Sequence, residues 1–388
     1  MDQPTLIDYA HLIITLFDLF VQTEPVVLRY ENLCTYKHRE MIIFFMLMQF
    51  RRIYEFKAQR RWLKAHPEIM PLLNFETIPH RTTLSRRYKK LSEVVTEFTA
   101  FVGDRVADLD EAFANTYLAE DKSLFKARGP VWHQSDRNEG RIPEKLRRLD
   151  TDATWSKSGY QGWVYGYGIH LTCTEDAFPK MVRVETASVA DGDILDQTAD
   201  FILNHLHPES LTADDRYTKA MRIRNWIKQG TILITPALRW VKGRHAQAYH
   251  RFLAQPDTQR RVKKRKTSVE PLFDLIAKVI GATDFHKQLP VQKLVNVRTV
   301  LVLGALTVQI AMIMNSILGL PPEKSLPLRP PSLKRMHTPH INTHRAIFVG
   351  NKTRSAVANG VTFDRDGNFL AISLISSAPA SESSTRHS

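Results

Sequence analysis

The sequence predicts an α/β fold in which a mixed sheet is flanked by helices and preceded by an all-α N-terminal region. Up to about residue 105 apolar positions recur at helical spacing. From about residue 114 short β-rich runs alternate with helical ones. Strands that lead while helices interleave and trail imply one sheet covered by helices. The length of 388 residues exceeds the size at which a single apolar core usually stops growing. The expected division is therefore a helical region over 1–105, a sheet-bearing domain over 114–320 and a C-terminal extension over 321–388. The end of that extension, SSAPASESSTRHS, lacks the apolar content to pack and is expected to be disordered.

Taken in order, TLIDYAHLIITLFDLFV over 5–21 has helical spacing. Residues 38–64 read as one longer helix, in which MIIFFMLMQF runs into the basic RRIYEFKAQRRWLK. After the punctuation HPEIMPLLNFETIPH comes TTLSRRYKKLSEVVTEF, a helix that Thr82 or Thr83 can cap. Its residues Leu84, Tyr88, Leu91, Val95 and Phe98 form one apolar stripe. Arg86, Arg87, Lys89 and Lys90 project elsewhere near its start, either as an ordinary solvated face or as a helix-turn-helix module would place them against DNA. The strand expectations are TYLAED, GWVYGYGIHLTCT, MVRVETASV, SLTADD and TILITPAL. The helix expectations are DILDQTADFILNHL, TKAMRIRNWIK, SVEPLFDLIAKVI and 294–318.

Charge narrows the partners. Lys and Arg number 54 against 40 Asp and Glu, a formal +14 with an isoelectric point near 9.7, which favours a polyanion. Cys34 and Cys173 have no partner at metal-ligand spacing, so neither a zinc site nor a disulfide framework is expected. The N-terminus carries acid where an export signal would carry Lys or Arg. A cytoplasmic, nucleoid-associated protein is the corresponding expectation. Thr299 to Leu318 is uncharged and long enough to span a bilayer, but Gln309 and Asn315 would be costly there, so a buried core helix is the preferred reading.

Three carboxylates attract attention. Asp121 closes NTYLAEDKS and Asp214 closes SLTADDRY, each where a strand would end and present its carboxylate beyond the sheet. Glu270 starts the helix SVEPLFDLIAKVI. Carboxylates that converge from separate elements are what a two-metal phosphoryl-transfer site requires. Plain structural readings stand beside each: a turn for Asp121, an N-cap for Asp214 with Asp215 able to exchange roles, and a capping box between Thr267 and Glu270. Just upstream of the Glu, Arg260, Arg261, Lys263, Lys264, Arg265 and Lys266 put six cations in seven positions. Such a run resists folding unless an anion neutralises it, and a phosphate backbone would do so; a solvated or localisation-type run is the alternative. No phosphate-binding loop, nucleophile elbow or dinucleotide fingerprint occurs, which leaves kinase, hydrolase and dehydrogenase readings without support.

In order, the chain shows YLAEDKS, GYGIHL, VETASVADGD, the D-x-x-Y of Asp214 to Tyr217 and the E-x-x-F of Glu270 to Phe273. Over about residues 36–320 this resembles the DDE-type transposases of bacterial insertion sequences. The resemblance implies a ribonuclease H-like core in which Asp121, Asp214 and Glu270 bind two magnesium or manganese ions. It implies DNA cleavage and strand transfer on double-stranded DNA, performed by a homodimer or larger assembly away from any membrane. It also raises the N-terminal basic helix toward a DNA-binding role. Arg216 stands where that family often has Gly, and Gly168 where Lys is common. Lys263 and Lys266 replace a Tyr and an Arg, and Ala277 followed by Lys278 replaces a single Lys. Asp152 and Asp191 are conceivable substitutes for Asp121. The alternatives are a ribonuclease H-like endonuclease without strand transfer, a non-catalytic DNA-binding relic, and a membrane-associated protein anchored by 299–318.

Overall fold

In a computed structural model, the described residues are 6–23, 31–236, 244–284, 287–320, 361–363 and 369–372. Most of the expected extension over 321–388 therefore lies outside the described residues, apart from a short antiparallel pair, Val361–Phe363 with Phe369–Ile372.

Four helices lead: α1 Leu6–Thr23, α2 His38–Phe50, α3 Phe56–Ala65 and α4 Arg81–Leu109. The predicted single helix over 38–64 is two, because the chain turns at Arg52, which adopts a left-handed φ of 55°. There the Arg52 amide donates to Gln49 O and the Ile53 amide to Met48 O, and this turn closes α2. The break frees α3 to take its own direction, anchored by the Tyr54 hydroxyl, which donates to Ile280 O at 2.6 Å. α4 begins one residue before Thr82, with His80 as its N-cap, and its predicted stripe from Leu84 to Phe98 is buried throughout.

The sheet follows. β1 Tyr117–Lys126 pairs antiparallel with β3 Gly162–Thr174. A short helix, α5 Gln134–Asn138, lies between β1 and β2. The far edge of β3 takes β2 Thr154–Ser158 along its first part and β4 Pro179–Thr186 along its second. On the other side β1 pairs parallel with β5 Ser210–Thr212, and β5 pairs parallel with β6 Ile232–Ile234. Helices α6 Asp191–Phe201, α7 Ala220–Lys228, α8 Arg244–Leu253, α9 Pro256–Ile280 and α10 Leu294–Ile317 complete the fold. The molecule is thus mixed α/β, with helices on both faces of a mixed sheet.

Strand alternation sorts the two faces. Ala119, Phe125, Ile169, Leu171, Val182 and Val184 face an apolar core shared with α1, α2, α4, α9 and α10. Leu118, Leu211 and Leu233, aligned across three strands, face a second cluster with α6, α7 and α8. The helices before residue 109 therefore share one continuous core with the sheet. α4 approaches β4 closely at Gly103, where a Cβ would stand 1.9 Å from Lys180 O.

The uncharged run near the C-terminus is α10, buried from Thr299 to Asn315. Its Gln309 amide donates to Thr99 O at 3.0 Å and to Pro179 O at 2.8 Å, so both amide hydrogens meet protein carbonyls while Oε1 is buried without a partner. α1 and α10 are each long and apolar enough to cross a membrane, and 89% of the most apolar window of α10 is buried inside the protein.

Candidate active site

The parallel register of β1 and β5 builds the site. Ala119 pairs with Thr212, so Asp121 and Asp214 each stand two residues further along neighbouring strands. β1 continues beyond β5 because β3 still pairs with it there, and Asp121 therefore lies within the strand and not at its end as its sequence context implied. Asp214 sits just past β5 and N-caps a short turn through Oδ1, which accepts from the Arg216 amide at 2.9 Å. The capping reading of Asp214 is thus correct as far as it goes, and it leaves Oδ2 available.

α9 supplies the facing wall. It starts at Pro256, a favourable first helical residue, so Thr267 and Glu270 lie inside the helix and form no capping box. Glu270 is exposed on α9. Asp121, Asp214 and Glu270 line one cleft of about 910 Å³, together with Asp215, Arg216 and Lys287.

The basic run folds as the first half of α9 because the protein supplies part of the neutralising charge itself. Arg260 pairs with Asp257 at 3.0 Å and with Glu175 at 3.7 Å. Arg261 pairs with Asp257 at 2.9 Å, donates to Ser210 Oγ and lies 3.5 Å over the ring of Tyr117. Arg265 donates to Asp121 Oδ2. Lys263, Lys264 and Lys266 form no ion pair among the described residues, and Lys263 and Lys266 are exposed. Of the cations predicted on α4, Arg86, Lys89 and Lys90 are exposed. Arg87 is buried and faces inward, 3.6 Å from Glu31 and 3.2 Å from His38 Nδ1.

Electrostatics tie the two aspartates together. Burial raises the pKa of Asp121, against the lowering effect of Arg265 and of the Lys122 amide. Asp214 is pushed up to about 6, first by burial and then by the negative charge of Asp121. The negative charge of Asp121 hinders ionisation of Asp214, and a cation beside both carboxylates relieves such repulsion. The donor chemistry thus suits a hard divalent ion, but among the described residues no three His, Cys, Asp or Glu side chains gather closely enough to hold one. The Asp pair fits half of such a site, and Glu270 shares the cleft without completing it.

The substitutes considered for Asp121 have other partners. Asp152 accepts from the Leu294 amide at 3.0 Å at the start of α10 and pairs with Lys293. Asp191 is buried against Lys122 at 2.9 Å, with Arg216 at 3.7 Å. Beneath the cleft the structure reveals groups that the sequence reading missed. The Lys122 ammonium also donates to Ala187 O and Val189 O, and Gly168 admits its stem, since a Cβ there would stand 2.6 Å from Lys122 Cε. Glu120 is buried, hydrogen-bonded to Thr172 and raised to about 8 by burial. The alternation of β1 was the available signal, because a strand covered on both faces must bury Glu120 and Lys122 if Asp121 faces the cleft.

No family model, curated protein or solved structure matches this chain.

Proposed function

We propose that the protein is a metal-dependent phosphoryl transferase acting on double-stranded DNA, a transposase of the insertion-sequence kind with a ribonuclease H-like core. The observation that carries the reading is the parallel β1–β5 register, which sets Asp121 and Asp214 side by side in a cleft that Glu270 also lines. The strand order supports the core assignment: three antiparallel strands, β4, β3 and β1, continue into the parallel β5 and β6.

In this reading Asp121 and Asp214 would be the first ligands of magnesium or manganese ions, two in number, with Glu270 brought onto them from the facing wall of the cleft. When bound, such ions polarise a scissile phosphate and help a water to ionise for in-line attack, which frees a 3′-OH that can then join target DNA. The protein's own residues hold and orient. Lys263, Lys264 and Lys266 meet the phosphate backbone beside the cleft. Arg265, now on Asp121, can turn to phosphate as the carboxylate is engaged. No covalent enzyme intermediate is required by in-line attack of water. Holding both ends of an element calls for two or more copies of the chain.

A second reading, a DNA-binding protein without catalysis, draws on one observation: Arg265 already neutralises Asp121, and the three carboxylates do not gather. Magnesium-dependent cleavage and strand transfer on DNA carrying the element's flanking ends separates the two. Asp121→Asn, Asp214→Asn and Glu270→Gln are each expected to abolish activity and keep DNA binding. A wild type that binds and never cuts favours the second reading, and cutting without joining favours an endonuclease.

A further inference from the structure

Away from the carboxylate cleft, α3 and the start of α4 enclose a separate cavity of about 310 Å³ lined by Lys57, Arg60, Arg61, Lys64, His80 and Arg81. Four of the cations stand on α3 at i, i+3, i+4 and i+7, which is a single helix face. The opposite side of α3 buries Gln59 and Leu63 and fixes the helix against the core. Arg81 opens α4, 29 residues long, whose first amides carry positive potential into the same space.

Among the described residues Lys57, Arg60, Arg61, Lys64 and Arg81 form no ion pair, and Arg60 Nε is buried without a hydrogen-bond partner. Like charges four apart on a helix cost a few tenths of a kcal/mol per pair, and Lys57 with Arg61 and Arg60 with Lys64 are two such pairs. A face that costs stability in the free protein is suited to an anion with several charges at regular spacing. At about 1.5 Å per residue, α3 is about 15 Å long, and duplex DNA carries one charge per about 1.7 Å of axis. The lining contains no Phe, Tyr or Trp. Single-strand sites stack bases on such rings, so this lining suits a backbone and not exposed bases.

The position is also informative. α3 borders a third cavity, of about 550 Å³, where Arg52, Glu55 and Ala58 face Arg128, Gly281 and Gln288. The stretch that follows α9 borders both this cavity and the carboxylate cleft, through Gly281 and Gln288 on one side and Lys287 on the other. Lys287, paired with Asp274, thus borders the cleft, and Arg128 and Arg52, with Glu55, border the third cavity.

We propose that the cavity between α3 and α4 is a binding site for the phosphate backbone of duplex DNA, holding the duplex that flanks the segment in the cleft. The proposal deepens the reading of the cleft as a DNA-processing site and relies on it for what the flanking duplex is; the binding claim can be tested separately.

The test measures binding of the full-length chain to a fluorescent duplex and to a single strand of the same length, over a range of salt concentrations. The variants are Arg61→Ala/Lys64→Ala, Lys57→Ala/Arg81→Ala and, as a control for net charge, Lys145→Ala/Arg147→Ala. Urea unfolding confirms that each is folded. Both α3–α4 variants are expected to bind the duplex about tenfold or more weakly. Their slope of log K against log salt should be shallower by about 0.9 for each phosphate that is no longer neutralised, with the control unchanged. Wild-type affinity in the α3–α4 variants, or an equal loss in the control, overturns the proposal. So does tighter binding of the single strand. If these variants lose binding while the wild type never cleaves with magnesium, the site stands and the catalytic reading falls. Cleavage with unaltered binding gives the converse.

Discussion

Arg265 on α9 donates to the carboxylate of Asp121 in the middle of β1, with side chains only 11% and 19% exposed. The pairing joins residues 144 positions apart and closes the facing wall of the cleft onto the sheet. Arg265→Ala leaves a largely desolvated carboxylate without its cation, a loss of about 1–3 kcal/mol, below that of a fully buried pair because some water reaches it. Urea unfolding in chelator should show the loss. If Asp121 is a metal ligand, millimolar magnesium should restore part of it in the variant. A variant as stable as wild type in chelator would mean that the pair does not hold α9 to the sheet.

Asp214 gives the cleft a pH signature. Its carboxyl is raised from 3.8 to about 6 by burial and by Asp121. The folded state then holds this proton more tightly than the unfolded chain does, so stability from this group falls as pH rises from about 4 to 6. Asp214→Asn removes the titration and keeps an oxygen for the Arg216 amide. The variant should match wild type near pH 4 and exceed it in urea midpoint above pH 6. A difference that stays constant across that range would contradict the raised carboxyl of Asp214.

Glu120 extends the argument to higher pH. Burial at 1% exposure raises it from 4.5 to about 8, and the Thr172 hydroxyl, which would lower it, does not offset that. Glu120 therefore keeps its proton at neutral pH, and the wild type loses stability as pH rises between about 4.5 and 8. Glu120→Gln preserves shape and hydrogen bonding without the titration, so its stability should not follow this fall. Glu120→Ala opens a cavity and should be weaker at every pH. Parallel pH profiles for wild type and Glu120→Gln would show that Glu120 is ionised in the fold.

How far these features could be read in advance depends on their range along the chain. β3 was legible to the residue, because GWVYGYGIHLTCT is a continuous β-favouring run bounded by turn residues. α10 was legible because an uncharged run of that length has only two destinations, and Gln309 argued for the protein interior. The break between α2 and α3 was not, since it rests on a left-handed Arg52 where a glycine would have announced it. Pro256 was a usable and overlooked sign that α9 begins nearly four turns before Glu270. The three carboxylates could be named from local context. Their shared cleft could not be derived, because it depends on the β1–β5 register and on α9 crossing the sheet, both long-range choices made by the core. The pairing of Arg265 with Asp121 is of the same kind, since nothing local says which of six neighbouring cations will turn inward.

Lys122 and Asp191 make the sharpest stability test. Both side chains are nearly inaccessible, at 6% and 5% exposure, and 2.9 Å apart. The ammonium's three donors are taken by Asp191, Ala187 O and Val189 O, and Gly168 leaves room for the stem to reach them. Replacing one partner strands the other charge, because Arg216 at 3.7 Å is itself half exposed and a weak substitute. Lys122→Met should therefore cost about 3–5 kcal/mol, whereas a pair neutralised on both sides costs much less. The double variant Lys122→Met/Asp191→Asn is expected to lose less than the sum of the two single losses, by a coupling energy of about 1–3 kcal/mol in a double-mutant cycle. Near-additive losses would mean that Lys122 stabilises the fold through its two carbonyl partners, with the Asp191 charge contributing little. The cycle read by urea unfolding decides between these, and it bears on the cleft because Lys122 directly follows Asp121 in β1.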